Sequence, residues 1–134
     1  MTTTNRNLDA RLTSYAPAIL SLYRVVFGLL FLCHGSALLF GWPSGPAAPA
    51  GQWPSFYAGV LEFVTGVLIT VGLFTRIAAF IASGVMAFAY FTVHLPKGFV
   101  PLINGGELSV LYCFGFFLLI FTGAGAFALD ARRR

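Results

Sequence analysis

The sequence predicts an all-α membrane protein: an antiparallel bundle of four transmembrane helices with both termini in the cytoplasm. Three observations predict it. First, the 134-residue chain is 58% hydrophobic and only 9% charged, with a mean hydropathy of +0.86. A soluble domain carries about a quarter charged residues, so this composition could not keep a surface wetted. Second, four apolar runs, residues 18–40, 56–74, 77–94 and 108–129, are 18 to 23 residues long. Roughly 20 residues cross a hydrocarbon core about 30 Å thick. Third, the basic residues sort by membrane side. With the N-terminus inside, Arg6, Arg11, Arg76, Arg132, Arg133 and Arg134 all fall inside, and Arg24 lies near the inner end of the first helix. Only Lys97 falls outside. Short loops with this Lys/Arg bias orient a membrane protein by the positive-inside rule. The net charge of +4 is scattered rather than clustered, so it is no nucleic-acid footprint.

The chain divides into a polar cytoplasmic segment 1–17, a four-helix transmembrane domain 18–129 and a basic cytoplasmic tail 130–134. Segment 1–17 reads either as a short interfacial helix or as frayed chain. Pro17 suits a first helical turn, where its missing N–H removes no bond. The first apolar run exceeds the roughly 7–15 residues of a secretory signal core, so it reads as a span. Residues 41–54 hold four prolines and three glycines and no charge. They form an outer loop, flanked by Trp42 and Trp53 at the level of the aromatic belt.

Thr75-Arg76 alone joins the second and third runs, which forces an antiparallel pair. Gly28 and Gly35 in the first helix, and Gly59 and Gly66 in the second, are seven residues apart. Small residues at such spacing let helix backbones approach closely in lipid. Asn104 is placed to cap the fourth helix, with Gly105-Gly106 making a tight turn. The chain shows no usable internal repeat, no heptads and no low-complexity tract apart from the Pro/Gly loop.

Four ionisable residues sit in or beside these spans: His34, Glu62, His94 and Glu107. Such groups are costly in a bilayer and mark functional sites by default. The alternating helices put all four in the outer half. His34 lies six residues below Phe40, and Glu62 six residues beyond Phe56, so both are roughly 9 Å deep at 1.5 Å per residue. They are expected to meet within hydrogen-bond reach, directly or through one water. His94 ends the third run and Glu107 begins the fourth, where helix dipoles partly account for them. Imidazole and carboxylate can exchange protons with a quinone or phenol. No Glu-x-x-His metal motif occurs on any run. His34 and His94 differ in depth by about two turns, which disfavours one bis-His haem. Cys33 and Cys113 lie at similar depth, and buried free cysteine is ordinarily a small apolar residue. Arg24 reads as structural, snorkelling to the inner interface or pairing with Asp130.

The chain resembles the DoxX family of small four-helix membrane proteins, from about residue 22 to residue 130. The resemblance is carried by Tyr23-Arg24 through Gly28 to His34-Gly35, and by Ala58-Gly59 through Glu62 and Gly66 to Thr75-Arg76. It continues in Ala89-Tyr90-Phe91 to His94-Leu95-Pro96-Lys97-Gly98-Phe99, Asn104-Gly105-Gly106-Glu107, and the ending Gly123-Ala124-Gly125 to Leu129-Asp130. Many relatives carry a basic residue shortly after the His-Gly pair, where this chain has Leu38, Leu39 and Phe40. The resemblance implies a multi-pass protein of the bacterial inner membrane. It also implies a link to quinone, thiol or oxidant chemistry, because the family is named for a subunit of a thiosulfate:quinone oxidoreductase.

The leading expectation is therefore a membrane subunit of a redox system. A quinone-like ligand would meet His34, Glu62, His94, Asn104 and Glu107, and no residue is given a catalytic or metal-binding role. Two alternatives stay open: an accessory or assembly subunit of a larger membrane complex, and a small transporter. Whether the chain is itself an enzyme stays open as well. Its expected partners are the bilayer and either other membrane subunits or further copies of itself, without nucleic acid.

Overall fold

Apolar runs and their glycine stripes become a compact set of helices in the computed structural model, which describes residues 2–132. Arg133 and Arg134, used above to orient the chain, lie outside the described residues. Six α-helices follow one another: α1 (Thr3–Phe40), α2 (Ser55–Val71), α3 (Thr75–Ala89), α4 (Pro101–Asn104), α5 (Glu107–Thr122) and α6 (Leu129–Arg132). A π-helical turn, Tyr90–His94, and a 3-10 turn, Leu95–Lys97, extend α3 toward α4. Among the described residues no strand forms.

Helix α1 differs from expectation at its start. It does not begin near Pro17 but runs 38 residues unbroken, with Pro17 inside it. Leu8, Ala10, Arg11 and Leu12 ahead of the proline are strong helix formers. Thr2 caps the helix, its Oγ1 accepting the N–H of Asn5 at 3.3 Å. Gly41, at φ 71°, ends it.

Helices α1 and α2 pack backbone to backbone. A Cβ on Gly66 would lie 2.8 Å from the Leu32 Cα, and one on Gly28 would lie 2.6 Å from Thr70 Oγ1. The small-residue stripes read from the sequence are thus the contact itself. Helices α3 and α5 pack through Ala78, Ala79 and Ala82 against Phe116 and Leu119, all within 1% of full burial. Aromatic rings fill the space between α1 and α5. Phe31 meets Phe116 at 4.7 Å between centroids, and Tyr23 stacks on Phe27 at 4.3 Å.

The fourth apolar run also differs. Its helix stops at Thr122 instead of continuing to 129. Gly123, at φ 78°, turns the chain, and residues 123–128 fold beneath α1. Arg24 holds them there. It is 2% exposed and donates to the carbonyls of Ala124 at 2.5 Å and Phe127 at 2.8 Å. The hydroxyl of Ser21 accepts the Phe127 N–H at 2.9 Å. Arg24 is therefore structural, as its position suggested: it hydrogen-bonds to carbonyls and also feels the charge of Asp130. Asp130 accepts the N–H groups of Phe74 and Thr75 at 2.8 and 2.9 Å, capping α3.

The outer surface of these helices is apolar. Phe80, Phe114, Phe121 and Ile77 are all largely exposed. Helix α1 and the stretch Thr75–Lys97 are long and apolar enough to cross a membrane, while α2 and α5 are apolar helices of 17 and 16 residues. An all-helical chain with this exterior fits a membrane protein.

Candidate functional site

Glu62 is brought to the interior by the face that also buries Gly59, Thr65, Gly66 and Ile69. The carboxyl is 6% exposed, and its Oε2 is buried without a hydrogen-bond partner. A buried polar atom left unpaired costs about 1–3 kcal/mol, more if charged. Native structures hold few such atoms, and each calls for an explanation.

The carboxyl faces a cavity of about 360 Å³ among α1, α2, α3 and α5. His34 and His94 line the same cavity, with Phe31, Ser109 and Tyr112. Three of the residues singled out from the sequence thus converge. The equal-depth argument for His34 and Glu62 holds as far as a shared cavity. Among the described residues no direct hydrogen bond joins them, which leaves the water-bridged form of the expected contact. His34 instead meets the ring of Tyr112 edge-on, at 5.6 Å between centroids, and its side remains open.

His94 reaches the cavity through the π-helical turn that ends on it. Such turns insert a residue into the helical ladder and recur at functional sites. Its Nδ1 lies 3.3 Å from the backbone oxygen of Asn104. A carbonyl oxygen only accepts, so this contact suits the neutral tautomer with its proton on Nδ1. That leaves the Nε2 lone pair for a ligand.

The other two predicted residues stand elsewhere. Asn104 is buried, but its amide is fully engaged within the outer segment. It donates to Gly98 O at 2.7 Å and to Tyr90 Oη at 3.3 Å, and accepts from Gly106 N at 2.8 Å. Tyr90 Oη in turn donates to Phe99 O at 2.6 Å. Asn104 holds the segment that carries His94 and does not itself line the cavity. Glu107 is exposed at the first turn of α5, outside the cavity. Negative charge there suits the helix dipole.

Tyr112 and Ser109 were not singled out from the sequence. Their only signal was spacing: Ser109, Tyr112 and Phe116 follow at three and four residues and form the buried face of α5. Among the described residues no three His, Cys, Asp or Glu side chains gather closely enough to hold a metal ion. Cys33 and Cys113 are both free. Cys33 is exposed, and Cys113 contacts Ser83, with Sγ 3.4 Å from Oγ. A larger cavity of about 610 Å³ lies at the other end of the bundle, between α1 and residues 118–131. It contains no histidine.

An apolar helical exterior around a largely apolar cavity that holds two histidines and a glutamate fits a small helical membrane protein. The model of the DoxX family matches residues 19–95, and the chain belongs to that family. An uncharacterized protein of Haemophilus influenzae is 44% identical over 125 residues, covering 89% of this chain and 93% of the relative. No solved structure matches the chain.

Proposed function

We propose that the chain is a four-span protein of the bacterial inner membrane whose outer-half cavity receives the ring of a quinone or related phenol. It would serve there as the membrane subunit of a redox system. On this reading α2 and α5 complete the four spans. Their 17 and 16 residues give roughly 24–26 Å at 1.5 Å per residue, and the flanking loops cover the remainder. The positive flanks Arg6, Arg11, Arg76 and Arg132 favour an orientation with both termini in the cytoplasm.

The observation that carries the reading is the unpartnered Glu62 carboxyl in a cavity shared with two imidazoles. Were Glu62 only a tie between helices, it would be hydrogen-bonded to one of them. Among the described residues it makes no such bond, and this favours a ligand site over an accessory subunit held together by polar side chains. A bound quinone would supply the electron chemistry, while the chain supplies proton exchange. In that cavity His94 would accept a hydrogen bond from a ring hydroxyl at Nε2, and Glu62 would give or take a proton at a ligand oxygen. The walls formed by Phe31 and Tyr112 hold the apolar ring.

Binding of a ubiquinone or menaquinone analogue to the purified protein tests this. Glu62→Gln preserves size and hydrogen bonding but cannot release a proton. The wild type is expected to bind the analogue. The Gln variant is expected to fold and yet lose protection against quinone stress in cells. Absence of binding to the wild type, or full protection by the variant, overturns the reading.

A further inference from the structure

Helix α1 has a second face that the bundle leaves uncovered. Its bundle side carries Ser21, Arg24, Gly28, Phe31 and Gly35. Pro17 belongs to that side, since its carbonyl accepts the Ala126 N–H at 3.1 Å. On the opposite side lie Leu8, Leu12, Tyr15, Ile19, Leu22 and Val26, each 44–60% exposed. They follow at intervals of four and three residues in strict alternation, and Leu29 continues the series. This is the spacing of a left-handed coiled-coil seam. It emerges only because α1 runs unbroken through Pro17.

Residue types at the seam select a partner. The positions conventionally called a hold Asn5, Leu12, Ile19 and Val26, and those called d hold Leu8, Tyr15, Leu22 and Leu29. β-Branched residues at a with leucine at d favour two parallel strands, and one polar asparagine at a sets register. Two copies inserted alike in one bilayer present their α1 helices in parallel.

Lipid could cover the part of the seam within the membrane. Leu8, Leu12 and Tyr15 precede the apolar run on a helix otherwise bearing Asn5, Arg6, Asn7, Asp9 and Arg11, and because α1 continues the span unbroken it carries them beyond the lipid-facing stretch. The area is also sufficient. Seven half-exposed side chains of this size offer on the order of 600–700 Å² per chain, which for a symmetric pair falls within the roughly 1,200–2,000 Å² of a stable interface.

We infer that α1 pairs with α1 of a second copy of this chain as a parallel two-stranded coiled coil, beginning in the aqueous N-terminal half and continuing into the membrane. The pairing lies on the far side of α1 from the cavity and does not depend on what the cavity binds.

Single cysteines placed in a Cys33→Ser, Cys113→Ser background test the seam in native membranes. On oxidation with copper phenanthroline, Leu12→Cys and Ile19→Cys are expected to yield disulfide-linked dimers at least about tenfold more than Ala10→Cys, because only seam positions bring Cα atoms within disulfide reach. Equal yields at all three positions, no dimer at the seam, or a cross-linked mass belonging to another protein would each overturn the inference. Leu8→Asp with Leu12→Asp lies outside the bundle, so the variant should fold. Native mass spectrometry in mild detergent should show it monomeric where the parent chain is dimeric. Unchanged mass, or a parent chain that is itself monomeric, would count against the seam.

Discussion

The Nδ1 atom of His94 and the backbone oxygen of Asn104 lie 3.3 Å apart. The contact joins the last residue of the π-helical turn to the last residue of α4. Through it, the outer segment orients the imidazole toward the cavity that Glu62 and His34 share. The asparagine thus matters to the site without lining it.

Replacing Asn104 should loosen this segment. Asn104→Ala leaves the Gly98 carbonyl and the Gly106 N–H without their side-chain partner, at about 1–3 kcal/mol for each buried group left unsatisfied. The expected result is a lower unfolding temperature in detergent and weaker binding of a quinone analogue. Asn104→Asp keeps the acceptor for Gly106 and should recover part of both losses. If Asn104→Ala bound and melted like the parent, the segment would not depend on this side chain.

Arg24 should prove indispensable for the inner end of the fold. Arg24→Ala leaves the Phe127 carbonyl unpaired beneath α1 and the Ala124 carbonyl with only the Ser21 hydroxyl, at 3.3 Å. A buried acceptor left unsatisfied costs about 1–3 kcal/mol. Residues 123–128 should become open to protease in detergent. Continued resistance at these residues would show that something else holds them.

Two glycine substitutions should differ in sign. Gly66→Ala drives a methyl against the Leu32 backbone at 2.8 Å and should push α1 and α2 apart, lowering thermal stability by several degrees for the roughly 1–3 kcal/mol that overpacking costs. Gly84→Ala meets nothing within 4 Å and should be neutral or stabilising by up to about 1 kcal/mol, since alanine is the better helix former. Equal effects of the two would contradict the close α1–α2 approach.

Orientation in the membrane is open to direct labelling. A cysteine at Ser44, in a background lacking Cys33 and Cys113, should react with an impermeant maleimide added to the periplasmic side. Labelling only after the inner membrane is opened would invert the topology and move the cavity to the cytoplasmic half.

Much of this protein was legible in its residues because hydropathy and small-residue spacing act locally along a chain. The 9% charge content and the apolar runs require burial in lipid or protein wherever the helices go. Gly28, Gly35, Gly59 and Gly66 mark a close helix pair because they are the residues without side chains. Helical rise alone placed His34 and Glu62 at one depth. Tertiary structure decided the rest, because rise gives height but not the direction a side chain takes across a gap. It set His34 and Glu62 on one cavity without a direct hydrogen bond among the described residues, and turned Asn104 toward the Gly98 carbonyl. It left Glu107 outside and brought Tyr112 in. It also ended α5 at Thr122, where Arg24, distant in sequence, satisfies the carbonyls of residues 124 and 127 that a continuing helix would have paired within itself.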